Sequence, residues 1–341
     1  MRVAMYYNNK DVRLEEMPRP RVGRDELLVK VIASGICGSD VVEWYRIKKA
    51  PRVLGHEITG EVVEAGEDVK RYRVGDRVFV SHHVPCNSCR YCLNGYHTLC
   101  DTLSTTNFDP GGFSEYLRVP AINVDRGVFK LPDEMSFDAG TFIEPLACVV
   151  RGQRLAGLRP GQSVLVLGSG ISGLLNILLA KASGAGRVIA TDTNEYRMRA
   201  AKQAGADIVL DARQDVPAQV REITGSDGVE LAIVCTAAPA AFEQALQAVG
   251  RGSTVMLYAL HGPGTRLAFD ARELMVKGIT IMSTYGAAPL DLETSMEMLR
   301  SGRVQVEDLI THRLPLEETG VGFQIAAAAQ ESLKVIIRPA D

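Results

Sequence analysis

The sequence predicts an α/β protein in which an all-β, barrel-like N-terminal domain is followed by a doubly wound parallel sheet of six strands. Two patterns lead there. Up to about residue 136 the chain is a succession of short β-branched runs bounded by Gly, Pro or Asp, whereas from Ser163 onward strand-like and helix-like stretches alternate regularly. At 341 residues the chain is long enough for two domains, drawn here as 1–150 completed by 287–341, and 151–286.

Within the first stretch, residues 26–32, 58–63, 76–80 and 113–119 read as strands, which places function in the loops between them. Between 137 and 157 the pattern turns helical, and Pro145 is expected to begin a new helix. Strands are then expected near 163–168, 187–191, 207–210, 229–234, 253–258 and 279–283, separated by helices. After Gly286 this rhythm breaks, and the apolar run 333–338 is expected to return to the first domain.

The first strand of the second stretch runs into Gly168-Ser-Gly170-Ile-Ser-Gly173 and then a helix-forming segment. A buried strand, a tight glycine turn and a helix N-terminus suit a dinucleotide pyrophosphate. Gly168 makes the turn, Gly170 admits phosphates close to the backbone, and Gly173 lets helix meet strand, with Ile171 and Ser172 completing the loop. The next strand ends in Asp192, nineteen residues after Gly173. A carboxylate there accepts both ribose hydroxyls of NAD and repels the extra phosphate of NADP. Capping of the helix near Asn194 is the plainer alternative for that acid.

Four of the seven cysteines, Cys86, Cys89, Cys92 and Cys100, fall within fifteen residues of a polar loop. In a chain of this size that pattern predicts thiolates closing a tetrahedral structural zinc site rather than disulfides, with Gly95 permitting the loop to reverse. Cys37, His56, Glu57 and Glu144 are ligand types for a second, catalytic zinc, which keeps three protein donors and one open position. Taken singly, each is better read plainly, Cys37 as a buried thiol, His56 as a hydrogen-bonded core histidine and Glu144 as a helix-end charge. The chemical demand favours the metal. An alcohol must lose its proton before hydride leaves, and zinc lowers the pKa of a bound hydroxyl, so a dinucleotide fold and a zinc ion form a coherent pair.

The net charge of −3 gives no basic face for nucleic acid. No run of eighteen apolar residues and no charged-then-apolar leader occurs, which reads as a soluble, cytoplasmic protein with no membrane partner.

Residues 55–69 (GHEITGEVVEAGEDV), 85–100 (PCNSCRYCLNGYHTLC) and 143–148 (IEPLAC), with THRLPLEE at 311–318, resemble the zinc-dependent medium-chain alcohol dehydrogenase superfamily, nearest its sorbitol (polyol) and threonine dehydrogenase branch. The resemblance implies a GroES-like catalytic domain and a Rossmann domain. It further implies two zincs per chain, the catalytic one held by Cys37, His56 and either Glu57 or Glu144, and a small-molecule substrate in a homo-oligomer, a tetramer in this branch. Ser39 matches the hydroxyl that starts proton removal, and Arg197 stands near the adenosine end of NAD. One departure bears on mechanism: the position five after Cys37, commonly a relay histidine in the family, is Val42, which cannot pass a proton. The implied activity is oxidation of a polyol, sugar or cyclitol to its ketone. A threonine 3-dehydrogenase is the rival within the class, and a dinucleotide-binding protein with impaired catalysis the rival outside it.

Overall fold

The computed structural model describes residues 1–339. Contacts divide the chain into two units, Met1–Ala147 with Ala287–Asp341, and Cys148–Gly286.

In the first unit the strands are β1 (Arg2–Asn8), β2 (Asp11–Glu16), β3 (Leu27–Gly35), β4 (Arg52–Val53), β5 (Glu57–Ala65), β6 (Arg77–Val80), β7 (Tyr116–Val119) and β8 (Val128–Lys130). β2, β1 and β4 form a small sheet of their own, while β3, β5, β6 and β8 are neighbours in a larger one, with β7 on β3. The interior of the larger sheet is built from β-branched and aliphatic side chains at alternate positions, among them Leu27, Val29, Val31, Ile58, Val62, Val78 and Val80. Each such side chain, fully buried, contributes roughly 1.5–3 kcal/mol. The β1–β2 hairpin and the short β8 lie outside the strands expected from the sequence. The last of those expected, 113–119, begins only at Tyr116.

The second unit holds β9 (Ser163–Leu167), β10 (Arg187–Asp192), β11 (Ile208–Asp211), β12 (Val229–Val234), β13 (Val249–Leu257) and β14 (Thr280–Ser283). They make one parallel sheet in the order β11-β10-β9-β12-β13-β14. The order reverses between β9 and β12, and ligands of such sheets bind at the carboxyl ends of the strands flanking that reversal. β13 starts four residues earlier than its expected start at 253, because the chain runs directly from the helix Pro239–Ala248 into the sheet. The core clusters Leu165, Leu167, Ile189, Val234 and Val255 with Phe242 and Ala245 of that helix.

Two further strands, β15 (Ile310–Pro315) and β16 (Lys334–Arg338), belong to the first unit. β16 pairs antiparallel to β3, with Ile336 opposite Gly35, and so extends the larger sheet. Arg313 and Arg338 both reach Asp138, at 2.6 Å each, which ties this return segment to the short helix Phe137–Gly140. The following helix is Ile143–Leu155, so Pro145 lies inside its first turn rather than at its start; the first turn has no intrahelical use for that N–H in any case. Among the described residues no helix is long and apolar enough to cross a membrane.

Candidate active site and metal centres

The four-cysteine loop needs only local structure. Cys86, Cys89, Cys92 and Cys100 bring their sulfurs within 4.8 Å of one another, and all four are free thiols. Cys89 and Cys92 sulfurs are 3.6 Å apart, and those of Cys86 and Cys92 4.0 Å. A tetrahedral shell with Zn–S near 2.3 Å requires sulfur–sulfur edges of about 3.8 Å, so the donors fit zinc. Gly95 takes φ +80°, the left-handed conformation that reverses the loop. Backbone N–H groups of Ser88 and Cys89 point at the Cys86 sulfur, at 3.4 and 3.2 Å, and with the Ser88 N–H leading they pull its pKa down to about 5. The opposite holds at Cys92, where burial pushes the thiol up to about 12. A divalent ion favours thiolates at all four.

The second constellation is assembled by the sheet of the first unit. Cys37 follows β3, His56 immediately precedes β5, and Glu57 opens it; β3 and β5 pair so that Gly35 faces Glu57. Donor atoms of Cys37, His56 and Glu57 lie within 4.8 Å of one another, and their types suit a site with three protein donors. Glu144 sits in the first turn of the helix Ile143–Leu155 and is not a member of that group.

Around these donors is a network that orients them. Asp40, 1% exposed, accepts the Cys37 N–H at 3.2 Å and faces His56 Nδ1 at 3.4 Å. A carboxylate on Nδ1 leaves Nε2 as the metal-facing nitrogen. Burial disfavours a charged His56, but Asp40 and the Cys37 sulfur outweigh it and raise its pKa well above the usual range, so a metal must displace a proton there. Ser39 Oγ is 3.3 Å from the Cys37 sulfur. Arg46 donates from Nη2 to Ser39 Oγ at 2.8 Å and to Asp40 at 3.0 Å, and from Nε to the Ser39 carbonyl at 3.0 Å. Val42 precedes the short helix Glu43–Arg46, and the guanidinium that closes this helix is the polar group beside Ser39.

His82 packs against His56 with ring centroids 4.8 Å apart, and against His83 at 3.8 Å. Burial, reinforced by His83, His56 and Arg46, pushes His82 well below its usual pKa; similar causes bring His83 to about 4. Both are therefore neutral at pH 7. Asp40 is visible in the sequence as the acid after Ser39. Arg46 and Lys334, which pairs with Glu57, carry no sequence signal, since their partners are set by strand pairing and one turn of helix.

In the second unit, Gly168 adopts φ +93°, and a Cβ on Gly173 would stand 1.9 Å from the Gly168 carbonyl oxygen. Glycine is required at both. A Cβ on Gly170 would meet nothing nearer than the Arg197 guanidinium, at 3.9 Å, so the turn is open toward a cation. The helix Ile171–Ala182 starts there without a side-chain cap, leaving N–H groups and the positive end of its dipole for an anion. Asp192, largely buried, accepts the Ser169 N–H at 2.7 Å and the Asn194 N–H at 2.9 Å, while Asn194 itself caps the next helix. Asp192 thus braces the glycine turn, and the capping role falls to its neighbour. These groups fit a dinucleotide.

Comparison with known proteins agrees with this architecture. Residues 23–133 match the alcohol dehydrogenase GroES-like domain, and residues 172–301 match the zinc-binding dehydrogenase domain. The chain is 35% identical over 333 residues to an L-threonine 3-dehydrogenase of Bacillus licheniformis, covering 95% of this chain and 94% of that protein. It is 33% identical over 355 residues to a sorbitol dehydrogenase of Bacillus subtilis, covering 99% and 97%. Among solved structures, the alcohol dehydrogenase of Thermus sp. ATN1 superposes with a TM-score of 0.88 at 31% identity over 99% of both chains. With both domain families matched and relatives aligned over nearly its whole length, this chain is a member of the zinc-binding medium-chain alcohol dehydrogenase family, in its polyol and threonine dehydrogenase branch.

Proposed function

We propose that the protein is an NAD-dependent zinc enzyme that oxidises a secondary alcohol, a polyol, sugar or cyclitol, to its ketone. The observation that carries this is the convergence of Cys37, His56 and Glu57, with Ser39 beside Cys37, in a member of this family. We assign the first unit to catalysis and the second to the cofactor.

A zinc ion on these donors supplies the Lewis acidity that makes a substrate hydroxyl ionise near neutral pH. Cys37 and His56 anchor the metal, and Asp40 holds the His56 ring in the ligating orientation. Ser39, its oxygen fixed by Arg46, would accept the substrate proton as it passes on its own, and because Val42 offers no onward acceptor that proton would have to leave to water or to a hydroxyl of the bound cofactor. Gly168, Gly170 and Gly173 with Ile171 and Ser172 would cradle the pyrophosphate, Arg197 would lie near the adenosine end, and Asp192 would select NAD over NADP by repelling a ribose phosphate. The Cys86, Cys89, Cys92 and Cys100 zinc stabilises its lobe. We read the enzyme as a cytoplasmic homotetramer, as its branch implies.

The test is NADH formation against a panel of polyols, cyclitols, sugar acids and threonine, with NADP in parallel and a chelator-treated control. Turnover of a polyhydroxy compound with NAD, abolished by chelation, supports the reading. Turnover of threonine alone replaces it with the second reading, a threonine 3-dehydrogenase, which the identity to the Bacillus licheniformis enzyme favours. An amino-acid substrate would need a cationic anchor for its carboxylate.

A further inference from the structure

Lys334 is among the largest fully buried side chains of the protein, and it forms an ion pair with Glu57 in which both side chains are only 1% exposed. Its ammonium also donates to the Ile36 carbonyl at 3.3 Å and stands 5.6 Å from the centre of the Phe142 ring. Three strands converge to build this place: β16 brings Lys334, β5 brings Glu57, and β3, which pairs with both, passes between them at Gly35. A Cβ on Gly35 would come within 2.2 Å of Glu57 Oε2 and 2.7 Å of Lys334 Cε. The glycine of the Gly35-Ile-Cys37 segment is therefore there to admit the pair.

Glu57 is at the same time one of the three grouped metal donors. An ammonium and a metal dication compete for the electron pairs of one carboxylate, and a carboxylate already neutralised by a buried lysine is the weaker donor. A methionine of similar volume would fill the space without this competition, so packing alone does not explain a lysine. We propose that Lys334 is a positioning residue that tempers Glu57 as a metal donor, leaving Cys37 and His56 to anchor the ion and Glu57 exchangeable. The inference rests on the reading of Cys37, His56 and Glu57 as a metal site. Its functional consequence is an open coordination position that substrate and water exchange through without loss of the ion.

The experiment follows zinc release from the zinc-loaded full-length protein into a chromogenic chelator, without substrate or cofactor, for wild type, Cys37→Ser, Glu57→Gln, Lys334→Met and the Glu57→Gln/Lys334→Met double variant. One release phase is expected to vanish in Cys37→Ser. That phase should accelerate about tenfold in Glu57→Gln, which removes a donor, and slow by about tenfold in Lys334→Met; changes around a metal ligand have effects of roughly this size, and the sign here is reversed because the partner removed is a competing cation. The double variant should behave like Glu57→Gln, because Lys334 acts through that carboxylate. A Lys334→Met protein that releases zinc as wild type does, or the same slowing in the Glu57→Gln background, overturns the proposal. Should Lys334→Met not fold, Glu57→Gln decides: release unchanged by it means that Glu57 is no donor and the proposal falls. Persistence of every release phase in Cys37→Ser instead removes the metal-site reading itself, and this inference with it.

Discussion

Replacing Arg46 by alanine removes three contacts at once: with the Ser39 hydroxyl at 2.8 Å, the Ser39 carbonyl at 3.0 Å and the Asp40 carboxylate at 3.0 Å. Arg46 is 15% exposed and Asp40 1%, so the carboxylate left behind is not rehydrated. Breaking a buried ion pair by deleting one partner costs about 3–5 kcal/mol. Asp40 keeps the Cys37 N–H and His56, which places the expected loss near the lower end, about 3 kcal/mol. For a unit of this size that is a fall of roughly 6–12 °C in Tm, read by thermal unfolding of the zinc-loaded protein. The kinetic effect comes from Ser39, whose oxygen loses the donor that orients it. General acid-base help is worth roughly 100- to 10,000-fold, so kcat/KM should drop by about 100-fold, more in kcat than in KM. Arg46→Lys separates the two roles. One ammonium restores charge beside Asp40 but cannot span Ser39 and Asp40 as the guanidinium fork does, so stability should return while most of the rate does not. A folded Arg46→Ala protein with Tm and kcat/KM both at wild-type level would refute the assignment of Arg46 to this network.

Gly173→Ala places a methyl 1.9 Å from a backbone carbonyl, so the helix must move off the strand; a loss of roughly 1–3 kcal/mol and weaker NADH binding are expected, checked by thermal unfolding and fluorescence titration. Cys92→Ser should lower the zinc content from two ions per chain to one, measured by elemental analysis of the purified protein. His83, depressed to about 4 mainly by burial, is neutral in the fold while the unfolded residue takes a proton near 6.5. Its contribution is therefore present above pH 6.5 and is lost as pH falls from there toward 4, a loss on the order of 2 kcal/mol. His83→Gln should flatten that part of a stability-versus-pH curve obtained by denaturant unfolding.

Which parts of the molecule were legible in one dimension follows from the range of the interactions involved. The strands of the second unit show as β-branched runs between helices, most clearly β9, β10 and β12, which are buried on both faces, and the glycine turn shows because steric exclusion acts on neighbours in the chain. The four cysteines are a local loop whose sulfurs meet over fifteen residues. The β1–β2 hairpin was harder to read: its second strand is charged at Asp11, Arg13, Glu15 and Glu16, and its apolar face is only Val12 and Leu14, too short an alternation to mark it.

The sequence by itself determined the fold class, the closed cysteine site and the dinucleotide turn, each written by residues close in the chain. It supplied Cys37, His56, Glu57 and Glu144 as ligand types with no means of ranking the two glutamates. Only the tertiary structure decided that Glu57 joins Cys37 and His56, that Arg46 stands beside Ser39, and that Lys334 comes back from the last strand to hold Glu57. The reason is physical: Arg46 reaches Ser39 through one turn of helix, whereas Lys334 and Glu57 are 277 positions apart and meet through the register between β3, β5 and β16, which no local pattern encodes.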